Sequence, residues 1–462
     1  MANIAWLHLS DWHQKRQEFD QDVVLDALLE DIKRRQEISS ALKKIDIIFF
    51  SGDLAYHGRA EEYKKAKRVF LDKLLRAAQI GKNWRERFFV VPGNHDLDWK
   101  GFETQRQDLV KLMRKPGKVV EWLMDNRLRR SLLDPFANYK EFISKYLGKG
   151  KSGDPVSPDY SFVKNLRISG QKVSIICINS AWLSGRVRKT NGEIDDYGRL
   201  RVGEPQLVNA LKKYKDPNIA IAVMHHPFEW LDLPDRDLAH GWLGKHCHFI
   251  LFGHQHSAQI RIEVSTEGNF IAIPAGACYD RREYTNGYNF VCLDTDSCQG
   301  TIYLRKWNNR QNNWGPDTDI AKDGKFEFHM PKTKVVPLQV SVAVVVKDGN
   351  ILLVRRKKKE GNLWWQFPGG IIGETEKDCD VAEREANKEA NIVCRANRKL
   401  GQRIHPETHV LVHYWQCEYI KGEPKLKDTK DLDKAQWFSI KKGLELMSGN
   451  IYLPVKNYLR KS

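Results

Sequence analysis

Short runs of β-branched and aromatic residues recur through the first half of the chain, at 4–10, 45–51, 88–92, 173–179, 219–225 and 248–253, and each runs into Ser, Gly, Asp, Asn or His. Apolar runs of this length predict buried strands. Between them, 20–36 and 60–78 carry apolar residues at helical spacing with Lys and Arg on the remaining positions, which predicts amphipathic helices. The alternation predicts a layered α/β domain, and strands that end in polar clusters deliver those clusters to a sheet edge, where open α/β sheets bind ligands.

Residues 99–168 break the rhythm with charged helical sequence and predict a helical insertion beside that edge. Beyond 253, the runs 259–264, 270–274, 288–294 and 301–307 read as consecutive antiparallel strands that close a first domain near 320. Gly, Pro and several Lys at 321–337 mark a linker. A second domain, 338–462, opens with the strand 340–346 and a hairpin turn at Lys347-Asp348-Gly349-Asn350. There is no internal repeat, and the low-complexity patch is the basic run 355–359.

Composition narrows the class. Over 462 residues, 41% hydrophobic and 10% aromatic content is enough to build cores and excludes a disordered or fibrous chain. No apolar run approaches the roughly 18 to 20 residues that a membrane-spanning helix needs, so no membrane partner is expected. The first ten residues lack the basic start of a signal peptide, which predicts a cytoplasmic protein. Eight Cys without a CxxC pair read as reduced core thiols rather than disulfides or a thiolate zinc site. The net charge of +17 favours anionic partners, nucleotides or nucleic acid; 25 basic against 16 acidic residues beyond 330 leave +9 of it at the C-terminal end.

The candidate chemistry lies at the strand ends: Asp11-Trp12-His13, Gly52-Asp53, Gly93-Asn94-His95-Asp96, His225-His226-Pro227 and Gly253-His254-Gln255-His256. Each cluster alone is weak. Together they offer a mixed nitrogen and oxygen donor set that suits Mn, Fe or Zn better than an all-oxygen Mg or Ca cage. In this order the clusters resemble the calcineurin-like metallophosphoesterase signature, DxH, GD, GNH(D/E), H and GHxH, over about residues 1–320. The resemblance implies a four-layer α/β/β/α domain with a binuclear metal centre. One ion would take Asp11, His13, Asp53 and His256, the other Asp53, Asn94, His225 and His254, with Asp53 bridging. His225 is preferred to His226 because the family's ligand stands two before the Pro. His95 resembles the histidine that approaches the leaving group, with Asp96 orienting its ring. His57, Tyr279, Arg281 and Arg282 are further candidates for phosphate or base contacts, though an ordinary surface role is the better reading of each.

A second constellation follows Leu363-Trp-Trp-Gln-Phe-Pro-Gly-Gly370. Glu385 and Glu389, four apart on a predicted helix, share one face and lie close enough to hold a hard divalent cation. Gly370, Glu376, Arg384-Glu385-Ala386, Glu389 and Ile392 resemble the Nudix box, over about residues 336–462, and imply a smaller α/β/α domain. Two residues depart from it: Asn391 stands for Gly, which a left-handed helix end accommodates, and Lys388 stands for a Glu, which removes a ligand and adds repulsion.

The combined reading is a metal-dependent phosphohydrolase of nucleotides or nucleotide derivatives. Two divalent transition-metal ions would serve the first domain through metal-bound hydroxide, with His95 and Asp96 assisting. Mg or Mn would serve Glu385 and Glu389, if the second domain cleaves a nucleoside diphosphate linkage. Two alternatives stand beside it: a metal-dependent nuclease acting on DNA or RNA, and a phosphoesterase regulated by a non-catalytic nucleotide-sensing Nudix-like module.

Overall fold

The structure, a computed structural model, describes residues 3–14, 19–98, 100, 108–109, 111–113, 115, 117–148, 161–185, 196–214, 217–255, 259–264, 268–279, 286–331, 338–360, 363–373, 375–405, 408, 410–427, 431–447 and 451–462. The chain divides into two compact α/β units, 1–335 and 336–462.

In chain order the described residues of the first unit form β1 (Asn3–Leu9), β2 (Ile47–Phe50), β3 (Phe88–Val90), β4 (Ser161–Ile168), β5 (Gln171–Ile178), β6 (Ile219–Val223), β7 (Phe249–Phe252), β8 (Arg261–Val264), β9 (Asn269–Pro274), β10 (Gly287–Asp294), β11 (Gln299–Asn308), β12 (Asn313–Pro316) and β13 (Lys325–His329). They build two mixed sheets, one ordered β12-β11-β10-β1-β2-β3 with β13 also on β11, the other β4-β5-β6-β7-β9-β8. The two share one apolar core: Trp6, Phe49 and Val291 of the first pack with Ile175, Ile221 and Phe249 of the second. Trp6 meets Phe249 edge-on, with ring centroids 5.2 Å apart, a geometry worth about 1 kcal/mol beyond area burial. Burial on both sides explains why these strands read as unbroken apolar runs. The stretch Ala60–Ala78 is helical throughout, with a π-turn at Lys67–Leu71.

Three expectations change. The four late strands are not one antiparallel series: β8 pairs antiparallel with β9, which lies parallel to β7, whereas β10 and β11 belong to the other sheet, where β10 lies between β1 and β11. Apolar periodicity marks a strand and does not say which sheet receives it. The insertion is helical at Lys118–Met124, Asn126–Leu133 and Ala137–Leu147, but Ser161–Ile168 is an edge strand whose exposed Asn165 and Arg167 weaken the pattern. The stretch 321–337 holds β13, paired with β11 from Gln299↔His329 to Tyr303↔Lys325, so the chain stays in the sheet to His329; 332–337 lie outside the described residues.

The second unit contains β14 (Gln339–Lys347), β15 (Asn350–Glu360), β16 (Leu363–Gln366), β17 (Gly369–Ile371), β18 (Val393–Ile404), β19 (Leu411–Lys421) and β20 (Leu432–Ser439). The sheet runs β16-β15-β14-β19-β18, with β17 on β14 and β20 on β15. The β14–β15 turn has Asp348 and Gly349 at φ 48° and 70°, the left-handed pair that a two-residue hairpin requires. One face packs Ala343 and Val345 against Ala382, Ala386 and Ala390 of the helix Asp378–Ala390. The other packs Val344 and Leu353 against Val455 and Leu459 of the helix Leu453–Leu459. Among the described residues, no helix is long and apolar enough to cross a membrane.

Candidate functional site

The residues after β1, β2, β3, β6 and β7 converge. Asp11, His13, Asp53 and His254 all lie in the left-handed region, at φ 55°, 49°, 58° and 63°. A non-glycine residue there costs on the order of 1–3 kcal/mol and persists only when its surroundings over-determine it. Here hydrogen bonds do so: Asp11 N–H donates to Gly52 O at 2.9 Å, His13 N–H to Asp53 O at 3.0 Å, and His254 N–H to Asp11 Oδ2 at 3.0 Å. Gly93 passes so close to Asp53 that a Cβ would stand 2.1 Å from Oδ1, which leaves no room for a side chain unless Asp53 moves.

The donor atoms fit a cation better than they fit each other. His225 Nδ1 lies 2.7 Å from Ser51 O, which can only accept, so that nitrogen carries a proton and Nε2 is the atom turned to the cluster. That Nε2 lies 3.2 Å from Asp53 Oδ2, 3.2 Å from Asn94 Oδ1 and 3.1 Å from His254 Nδ1. Asp53 Oδ2 also lies 3.3 Å from His13 Nε2, which is 3.7 Å from Asp11 Oδ1. One proton cannot satisfy so many acceptors, whereas one positive ion can. Ligand atoms of Asp11, Asp53, His225 and His254 lie within 4.8 Å of one another, as do those of His13, Asp53 and His95, so Asp53 belongs to both sets. His256 lies outside the described residues, as do Arg281 and Arg282.

Charge is divided unevenly across the cluster. Burial raises the Asp11 carboxyl above its ordinary value, with Asp53 adding to the effect, against the pull of His225 and His13. Burial works the same way on Asp53, but His225 and His95 overcome it and hold the carboxyl well below the usual range. Burial disfavours a charged His225; Asp53 beside it reverses that, and its pKa stands at about 9. His226 is pushed well below its ordinary value by burial, then by His254 and His225.

The expected partnership of Asp96 with the His95 ring gives way to a different one. His95 Nδ1 lies 2.9 Å from Tyr56 O, and its ring stacks on Tyr56 at 5.1 Å. Asp96 instead accepts the N–H groups of Gly93, Asp53 and Ala55 at 3.0, 2.9 and 3.1 Å, and the Tyr63 hydroxyl at 3.0 Å. Its carboxylate ties together the two loops that present Asp53 and Asn94. His95 N–H reaches Asp53 Oδ1 at 2.7 Å, fixing that side chain from the other side. Tyr279 is buried beside Trp12, while His57 is exposed, next to the Tyr56 ring.

In the second unit, the helix Asp378–Ala390 turns Glu385 and Glu389, both buried, towards a cavity of about 660 Å³. Glu389 Oε2 accepts the Gly369 N–H at 3.0 Å. A side chain at Gly370 would meet Glu385 Cδ at 2.5 Å, so the absence of a side chain there permits this approach. Glu385 is already paired: Arg384 Nη1 stands 2.5 Å from Oε1 and Lys388 Nζ 3.3 Å from Oε2. Glu376 accepts from Gly373 N–H and from Arg384 Nη2. Asn391 closes the helix at φ 60°.

The family described as "Calcineurin-like phosphoesterase" matches residues 6–258, more than half of the sequence. The chain belongs to that family. A "NUDIX domain" matches residues 337–453. Both are families of divalent-metal-dependent hydrolases, and this phosphoesterase thus joins two hydrolase domains in one chain. Among solved structures, it is similar to a MutT NUDIX hydrolase from Burkholderia pseudomallei, 22% identical over 27% of this chain and 96% of that chain, TM-score 0.23. It is similar also to a NUDIX hydrolase from Nitrosomonas europaea, 19% identical over 27% and 86%, TM-score 0.24. A third is an ADP-ribose pyrophosphatase from Streptococcus suis, 20% identical over 27% and 85%, TM-score 0.20. No curated protein matches the chain.

Several residues of the phosphoesterase cluster have no signature of their own. Ser180 Oγ accepts the His226 N–H at 2.9 Å and faces its Nδ1 at 3.1 Å, fixing that ring beside His225 and His254. Trp230 packs edge-on against His254 at 4.1 Å. Tyr63, from the helix Ala60–Ala66, reaches Asp96 across 33 residues of sequence. Only the helical periodicity that buries Tyr63 signals it.

Proposed function

We propose that Asp11, His13, Asp53, Asn94, His225, His254 and His256 hold two divalent transition ions, Mn, Fe or Zn, with Asp53 shared, and that the first unit hydrolyses phosphoesters of nucleotides or nucleotide derivatives. The observation that carries this is the position of Asp53 Oδ2, 3.3 Å from His13 Nε2 and 3.2 Å from His225 Nε2. When bound, such a pair supplies Lewis acidity towards water and the phosphoryl oxygens.

The chain's own residues supply the rest. The Tyr56 carbonyl fixes the proton of a neutral His95 ring on Nδ1, and stacking on Tyr56 holds the ring at the rim of the cluster, where a protonated His95 gives its proton to the leaving oxygen. Asp96 keeps the Asp53 and Asn94 loops in register, so that the donors need not reorganise during reaction. The His225 tautomer is set by Ser51 O. A cytoplasmic location is part of the reading, and eight free thiols support it.

The test is phosphate release from a panel of nucleotides, cyclic nucleotides and nucleic acids with Mn²⁺, by the wild type and Asp53→Ala. Release that the substitution leaves unchanged would refute the assignment. Cleavage confined to DNA or RNA would transfer the same site to the nuclease reading.

For the second unit, the first reading is hydrolysis of a nucleoside diphosphate linkage through Glu385 and Glu389 with Mg or Mn. The contact of Lys388 with Glu385 favours the other reading, a nucleotide-sensing module that regulates its neighbour.

A further inference from the structure

Glu385 and Glu389 do not fit a divalent ion as this chain presents them. Both oxygens of Glu385 already face cations of its own helix, Arg384 at 2.5 Å and Lys388 at 3.3 Å, and Glu389 Oε2 is held by the Gly369 N–H. A hard dication collects about six oxygen ligands. It would find few lone pairs here and an ammonium on the same helical face, whose repulsion is strong in a partly buried site.

The cavity itself is cationic. Of the charged side chains that line its 660 Å³, four are basic (Arg356, Arg384, Lys388 and Arg403) and three are acidic. The wall also carries Tyr414 and Tyr452, stacked at 5.2 Å, and Arg403 Nε donates to the Tyr414 hydroxyl at 3.1 Å. Flat apolar rings beside guanidinium and ammonium groups suit a ligand with a planar base and a charged phosphate chain.

We propose that the Lys388 ammonium stands in for the divalent ion, so that this cavity captures the diphosphate of a nucleoside diphosphate derivative without metal and holds it without turnover. The inference rests on reading the cavity as a nucleotide site. An ammonium neutralises phosphate charge as an ion does, but it does not bring a water molecule to a nucleophilic pKa, so binding survives the exchange and hydrolysis does not.

The experiment is calorimetric titration of the full-length chain with ADP-ribose, first metal-stripped in EDTA and then in excess Mg²⁺. The wild type should bind at one site per chain with the same affinity in both. Lys388→Met should weaken binding in EDTA by about tenfold or more, the loss of a hydrogen bond to a charged group, and Mg²⁺ should restore little. Lys388→Glu should lose binding in EDTA and recover it with Mg²⁺, while Lys388→Arg should keep it in both. Circular dichroism confirms that each variant is folded. Wild-type binding that appears only with Mg²⁺ would overturn the ammonium's role and leave the nucleotide reading standing. No binding under either condition would remove the nucleotide reading and the inference with it. Full affinity of Lys388→Met in EDTA would also overturn it.

Discussion

Both units gather buried carboxylates into one site, yet they resolve the resulting charge in opposite ways. In the first, Asp53 Oδ2 lies within 3.3 Å of ring nitrogens of His13 and His225, with Asn94 Oδ1 and His254 Nδ1 close to the second of them. In the second, Glu385 is clasped by Arg384 and Lys388 from its own helix. Buried carboxylates do not remain uncompensated. On the readings proposed above, importing the compensation as ions or building it from side chains is what would separate a site that needs metal from one that has a substitute.

The strongest way to break this contrast is Asp53→Ala, which should reduce phosphate release by on the order of a thousandfold or more, because it removes the carboxylate proposed to serve both ions. Gly93→Ala comes next. Its Cβ would stand 2.1 Å from Asp53 Oδ1, so the carboxylate must shift; steady-state kinetics should show about a hundredfold loss in kcat with the fold intact by circular dichroism. The second unit answers through Lys388→Glu, which removes an ammonium 3.3 Å from Glu385 and adds a carboxylate. Mg²⁺-dependent hydrolysis of ADP-ribose to AMP and ribose 5-phosphate, followed as AMP release, should appear in the variant where the wild type shows no turnover. Robust wild-type activity would show that the internal cation is no obstacle. The smallest effect belongs to Tyr63→Phe, which deletes the hydroxyl on Asp96. Denaturation should report a loss of about 1–3 kcal/mol, with kcat falling only modestly.

How much of the fold and the site is legible in the amino-acid sequence depends on the range of each interaction. Strands β1, β2, β3, β6 and β7 are legible because burial on both faces makes each of them an apolar run, and the polar clusters after them stand out against it. Lys388 is legible as a neighbour of Glu385 because residues three apart on a helix share a face. The salt bridge from Arg384 to the adjacent Glu385 is not, since neighbours along a helix point apart and only the length of the Arg side chain bridges them. Nor is the work of Asp96 legible: its partners are backbone N–H groups of two loops, which any sequence supplies. The Phe326 and Phe328 alternation of β13 is visible, but Lys and Gly around it read as a connector, and only pairing with β11 makes it a strand.

The most direct measurement is metal content by elemental mass spectrometry on the purified full-length chain, beside Asp53→Ala. Close to two equivalents of transition metal per wild-type chain are expected, with the loss of both in the variant and no further equivalent retained by the second unit. A wild-type chain with no bound metal, or an Asp53→Ala chain that keeps both equivalents, would contradict the shared-carboxylate centre.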